Sequence, residues 1–141
     1  MKIKIIAKDT FRVAAVMDGD LCEAELFLES GEKATKASRV GISVLLMRVA
    51  QDGLIGLPSD LFHYVHKEEK IYEFIKGRLR LLCFKGDGEE LVVCTSGVMK
   101  KSQKVDNAAV EEAIRWKRNY FDSKRDRTLT VVEEELDDEA E

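Results

Sequence analysis

"KIYEFIKGRLRLLCFKGDGEELVVCTSG", Lys70 to Gly97, decides the fold of this chain. Three short apolar runs are separated by turn signals, one at Lys76-Gly77 and one in "DGEE", Asp87 to Glu90. Short apolar runs joined by tight glycine turns read as strands of an antiparallel meander. Side chains alternate across a strand, so Arg78 and Arg80 are expected on one face of the middle strand. Leu79 and Leu81 are expected on the other, the core face.

Working outward, "SGVMKKSQKVD" (Ser96–Asp106) places Lys100, Lys101 and Lys104 within five residues, where the third strand ends. "NAAVEEAIRWKRNYF" then reads as a helix capped by Asp106 or Asn107. Its apolar surface is expected from Val110, Ala113, Ile114 and Phe121, with Trp116 and Tyr120 beside it. Upstream, "IKII" and "FRVAAV" read as strands. "LCEAELFLES" fits a helix with Leu21, Ala24 and Leu28 on one face, and also fits the second arm of a hairpin across "DGD". "KASRVGISVLLMRVAQD" reads as a helix with Val40, Val44 and Met47 in one stripe, capped by Thr35 or Ser38 and closed by Gly53. "GLIGLPSDLFHYVHKE" reads as a loop region. The expected fold is α+β: a small antiparallel sheet, a meander, with N-terminal helices and a C-terminal helix packed on it.

At 141 residues the chain has the length of one domain with one core. We place that domain at residues 1–125 and an extension at 126–141. The formal charge is −4, but seven of the last nine residues are acids, and removing seven negative charges from −4 leaves +3 on the rest. A basic body with an acidic tail fits a protein that uses its basic surface; a solubilising tail on an ordinary domain is the alternative. No apolar run approaches the roughly 20 residues needed to cross a bilayer, and no signal peptide is read, so no membrane is expected. Three cysteines without metal-ligand spacing, Cys22, Cys83 and Cys94, read as buried thiols in a reduced cytoplasm. His63 and His66 lack partners at metal spacing and read as surface loop residues. No metal and no cofactor is expected, and the sequence has neither a phosphate-binding G-x-x-x-x-G-K nor a nucleophile elbow.

The remaining chemistry is cationic. Arginines on a sheet face, with lysines on the loop at its end, make a concave surface suited to phosphates. Arginine grips phosphate oxygens as a fork and lysine supplies a mobile point charge. A solvated face with routine Lys/Glu balance is the plain alternative.

"IYEFIKGRLRLLCF" followed by "ELVVCTSGVMKKSQKVDNAAVEEAIRWKRNYF" resembles the phage-derived branch of the RelE/HigB superfamily of type II toxin–antitoxin toxins. The resemblance rests on Tyr72-Glu73, Arg80, Phe84, Gly97, Lys100, Lys101, Lys104, Ala113, Arg118 and Tyr120, and covers about Ile71–Phe121. "AELFLESG" and "VAQDGL" resemble the branch's helical hairpin. The "KKSQK" block is the specific part.

The resemblance implies a RelE-like fold and a metal-independent, ribosome-associated endoribonuclease that cuts mRNA. The substrate's 2′-hydroxyl attacks its own phosphate, and fixed cations stabilise the crowded phosphorane. Arg80, Lys100, Lys101 and Lys104 are the implied catalytic residues, and Arg78, Lys76 and Arg118 the implied RNA contacts. A lysine amine serves as base only where neighbouring cations favour its neutral form. A cognate antitoxin protein is the implied partner, with the ribosome and mRNA, and a homodimer is the other association considered. Two other readings stay open: a non-catalytic RelE-fold binding protein, and a ParE-like inhibitor of DNA gyrase. The chain departs from the branch at Ser96, where histidine is common, at Val98 for phenylalanine, Cys83 for tyrosine, Asp106 for proline, and Ile75 for a basic residue. In the extension, "TLTVV" alternates and fits an edge strand or a pairing between two chains, and the acids after it are candidates to fold back on the lysines.

Overall fold

The computed structural model describes residues 1–102, 104 and 106–134. One seven-stranded sheet runs through it, built from β1 (Lys2–Lys8), β2 (Arg12–Met17), β3 (Phe62–His66), β4 (Ile71–Lys76), β5 (Leu79–Lys85), β6 (Glu90–Met99) and β7 (Thr130–Val132). The spatial order is β3-β4-β5-β6-β2-β1-β7. Helices α1 (Glu23–Glu29) and α2 (Lys36–Asp52) come between β2 and β3, joined through a 3-10 turn at Lys33–Thr35. Helix α3 (Asn107–Asp126) comes between β6 and β7.

The protein is therefore α+β, but the sheet is mixed and larger than expected. Strands β3 to β6 pair antiparallel in sequence order, as do β1 and β2, whereas β2–β6 and β1–β7 are parallel. The expected small antiparallel sheet is not found as such: β4, β5 and β6 pair antiparallel but are the second to fourth strands of a mixed sheet. Parallel pairing needs a long crossover, and the β2-to-β6 excursion supplies one. Residues 130–132, in the expected extension, add to the sheet as an edge strand beside β1.

Both faces of the sheet are covered. Helices α1 and α2 bury Val13, Ala15, Tyr72, Phe74, Leu79, Leu81, Cys83, Val92 and Cys94 on one side. Helix α3 buries Ile3, Ile5, Ala14, Val16, Ile71, Leu82, Phe84 and Val93 on the other. Two-sided burial explains why β2, β5 and β6 read as near-continuous apolar runs.

Four local readings are corrected. Val40, Val44 and Met47 of α2 face solvent; Ile42, Leu45, Leu46, Val49 and Ala50 form its buried face. The helix carries apolar residues on both stripes, so periodicity alone could not choose. On α3, Tyr120 is fully buried and Phe121 is exposed, because the Tyr120 hydroxyl finds partners inside: it donates to Glu90 Oε1 at 2.8 Å and accepts from the Asp87 N–H at 3.0 Å. Leu21 is exposed, in a bridge with Asp18 that precedes α1. The region read as a loop around Pro58 contains β3, which forms the sheet edge.

Candidate functional site: a cationic cleft at the end of the sheet

The hairpin between β4 and β5 turns at Gly77, whose φ of +57° suits glycine. Arg78 lies in this turn and not on the strand, so its side chain does not follow the expected alternation. Arg80 lies on β5 and faces the α3 side, sharing it with Leu82 and Phe84. On β6 the register shifts opposite Leu81–Cys83, giving this strand an extra residue. The bulge keeps Gly97 on the α1 side, where an added Cβ would fall inside the Phe27 ring, and sets Val98 opposite Arg80. The chain then leaves the sheet through Lys100, whose N–H donates to the Arg78 carbonyl at 2.7 Å. Asp106 starts α3, its carboxylate accepting from the Ala109 N–H at 3.0 Å.

These elements enclose a cleft of about 280 Å³ lined by Arg80, Lys100, Lys101 and Lys104. All four implied catalytic residues therefore meet in one place. Glu73 and Asp106 are the carboxylates in its lining, and Val65, Leu82, Val98 and Val110 form an apolar wall. A shallower depression beside it is bordered by Arg78, Arg80, Lys100 and Lys101, which brings Arg78 to the rim. The other two implied RNA contacts do not join them. Lys76 faces the α2 side, its stem lying against Gly41, because it is even-spaced from Phe74 and Tyr72 along β4. Arg118 sits on the outer surface of α3 and pairs with Glu69 at 3.3 Å. The surface is also not an open sheet face: α3 packs on that face, and Arg80 and the three lysines converge where the sheet ends.

Arg80 is held from behind. Its Nη1 donates to the Gly77 carbonyl at 2.9 Å and to the Leu79 carbonyl at 3.0 Å. Its Nε is buried without a hydrogen-bond acceptor among the described residues, 3.9 Å from Glu73 Oε1. Among the described residues, Lys100, Lys101 and Lys104 form no ion pair. The cleft thus combines a guanidinium held by two backbone carbonyls, amines without an ion pair among the described residues and an apolar wall, a setting in which charge interactions are stronger than in bulk water.

Glu73 enters the sequence reading only through the resemblance, without a role in the site. Its side chain is 8% exposed, and its second oxygen, Oε2, lies 2.8 Å from His63 Nε2. His63 Nδ1 lies 3.0 Å from the Ser59 carbonyl oxygen. Which ring nitrogen donates depends on the tautomer. On the α3 side, His63 lies opposite Glu73 across β3 and β4, and Arg80 reaches Glu73 diagonally from β5, where Leu82 is its direct partner. The one signal in the sequence was an acid inside the apolar run "IYEFI"; its partner sits ten residues earlier on a strand read as loop. Among the described residues, no group of three or more His, Cys, Asp or Glu is placed to hold a metal ion. Compared with known proteins, the chain matches no protein-family model and no curated protein.

Proposed function

We propose that the cleft binds a phosphodiester of single-stranded RNA and that the protein is a metal-independent endoribonuclease, a toxin of the RelE/HigB kind that cuts mRNA at the ribosome. The observation that carries this reading is the convergence of Arg80, Lys100, Lys101 and Lys104 on one cavity beside a buried carboxylate. The helical pair between β2 and the β4–β6 run supports it, since it stands where the resemblance expects a helical hairpin.

In this reading the scissile phosphate sits against Arg80 and the lysines. The Glu73 carboxylate accepts the proton of the 2′-hydroxyl as its oxygen attacks phosphorus. The bond to O5′ breaks, leaving a 2′,3′-cyclic phosphate, and a cleft lysine ammonium returns a proton to O5′. Stabilisation of the phosphorane by pre-fixed charge is the largest expected contribution. A toxin of this kind acts in the cytoplasm and is restrained by a cognate antitoxin, whose acidic surface would complement the cleft. No helix among the described residues is long and apolar enough to cross a membrane.

The test is expression from a tightly repressed promoter, compared with Arg80→Ala and Lys101→Ala. Growth arrest with message cleavage is expected for the parent, and cleavage lower by about 10²- to 10³-fold for each variant, the scale of removing one transition-state charge contact. Equal, harmless growth of all three with intact messages would sink the catalytic reading. Ribosome binding without cleavage would favour the non-enzymatic alternative, and trapped gyrase complexes the ParE-like one.

A further inference from the structure

β3 is the first strand of the sheet, with no neighbour on its outer side among the described residues. Two adjacent residues of this edge point opposite ways. Val65 lines the cationic cleft. Tyr64 points to the other face, where it belongs to a column of rings. Phe62 stacks on Tyr72 with centroids 4.8 Å apart and planes 8° apart, and Tyr72 stacks on Tyr64 at 4.4 Å and 24°. Phe62 also packs at 4.8 Å on Phe74, which is fully buried. The column is therefore rooted in the core and ends at Tyr64, which is 44% exposed. Helices α1 and α2 cover this face further along the sheet but leave the outer ring open.

Cations surround the open end. Lys85 Nζ lies 5.1 Å from the Tyr72 ring centroid. Lys67 and Lys70 stand exposed in the β3–β4 turn. A hydrogen bond with Tyr72, and then the charges of Lys85, Lys70 and Lys67, hold the Tyr64 phenol below its ordinary pKa. Of the acids in the same turn, Glu69 is engaged by Arg118 at 3.3 Å, and Glu68 faces solvent.

We propose that Tyr64 is a base-stacking platform, and that Tyr64 with Lys85, Lys67 and Lys70 forms a second subsite for nucleotides of a single-stranded RNA held in the cleft. This rests on the ribonuclease reading above. A flat ring backed by two more rings offers a π face to any nucleobase, while flanking ammonium groups meet the phosphates that join one base to the next. A duplex hides its base faces in its own stack, so the chemistry selects single strands. Continuity comes from the edge strand: a chain leaving the cleft past Val65 crosses the unpaired edge of β3 and arrives at Tyr64. The three-ring column also fixes Tyr64 in advance, so little side-chain freedom is lost on binding.

The test is fluorescence anisotropy of a labelled single-stranded 2′-O-methyl RNA of about a dozen nucleotides, a length suited to such sites, which has no free 2′-hydroxyl and cannot be cut. The full chain is compared with Tyr64→Ala, Tyr64→Phe and Arg80→Ala, each checked for an unchanged melting temperature. Tyr64→Ala should bind about 5- to 150-fold more weakly, the loss of one base–aromatic stack, and Tyr64→Phe should bind like the parent. With a blunt RNA duplex of equal length the Tyr64→Ala difference should disappear. Weak binding by Arg80→Ala together with parental binding by Tyr64→Ala overturns the platform and leaves the cleft standing. The opposite pattern supports the platform and removes the cleft from RNA binding. No binding by the parent overturns both.

Discussion

Glu73 sets the residue-scale question, because a carboxylate taken out of water costs several kcal/mol unless charged or hydrogen-bonded partners compensate it. His63 at 2.8 Å and Arg80 at 3.9 Å are those partners. His63→Ala removes a hydrogen bond to a charged group, and we predict a stability loss of about 1.5–3 kcal/mol in urea unfolding, with weaker RNA cleavage. Glu73→Gln keeps the shape and removes the charge, so it should lose cleavage while keeping most of the stability. If Glu73→Gln cuts RNA at the parental rate, the carboxylate has no part in the chemistry. The lysine block was legible at this scale because its members are close in sequence and follow a strand. The His63–Glu73 pair was not, since two strands must pair before these residues meet. Arg78 and Lys76 were misplaced for one reason: alternation along a strand assigns faces only once the turn residues are known, and Gly77 and Arg78 are the turn.

At the scale of elements, strands in apolar runs with glycine turns were legible, and so were α2, with its Gly53 end, and α3, with its Asp106 cap. What failed was the assignment of faces. Helix α2 is apolar on two stripes, and only packing against the sheet selects Ile42, Leu45 and Val49 over Val40, Val44 and Met47. Strand β3 was missed because Pro58 and two glycines precede it and because edge strands need less apolar sequence than central ones. The bulge in β6 was equally hidden, yet it determines which side Gly97 and Val98 face. That bulge makes a prediction. Gly97→Ala would drive a methyl group into the Phe27 ring of α1, and we expect it to destabilise by about 1–3 kcal/mol, as overpacking does. Adding Phe27→Ala should reduce the penalty of the glycine change, measured as a double-mutant cycle. Simple additivity of the two changes would mean that α1 does not press on β6 at this point.

At the scale of the whole molecule, charge is divided between surfaces. The first tail acids do not reach the cleft: Glu133 pairs with Lys8 at 2.8 Å and Arg12 at 3.6 Å, and Glu134 pairs with Lys4 at 2.9 Å. The expectation that the acids cover Lys100, Lys101 and Lys104 is thus not met by these two, and for residues 135–141 it lies outside the described residues. The pairs fasten β7 to β1. The hydrogen bond from Lys8 holds the Glu133 carboxyl below its ordinary range. Ionised Glu133 therefore favours the folded state above the ordinary carboxylate pKa, and that contribution is lost as pH falls through the lowered folded value. We predict that on acidification the NMR contacts between Val131 and Ile3 weaken before the Tyr120 core signals change; simultaneous loss of both would mean the acids do not hold the strand. Burial also keeps Cys83 and Cys94 well above the ordinary thiol pKa, which suits inert core residues rather than nucleophiles. The fold class was legible because the runs and turns are local. The mixed sheet was not, because the β2–β6 pairing joins segments about eighty residues apart, and only chain-wide packing specifies it. The cleft is made by that packing, and its chemistry is most directly tested by incubating the purified protein with end-labelled mRNA on translating ribosomes. Fragments ending in 2′,3′-cyclic phosphate are expected for the parent, and about 10²- to 10³-fold slower cleavage for Arg80→Ala. Uncut RNA, or equal cleavage by parent and variant, would contradict the ribonuclease reading.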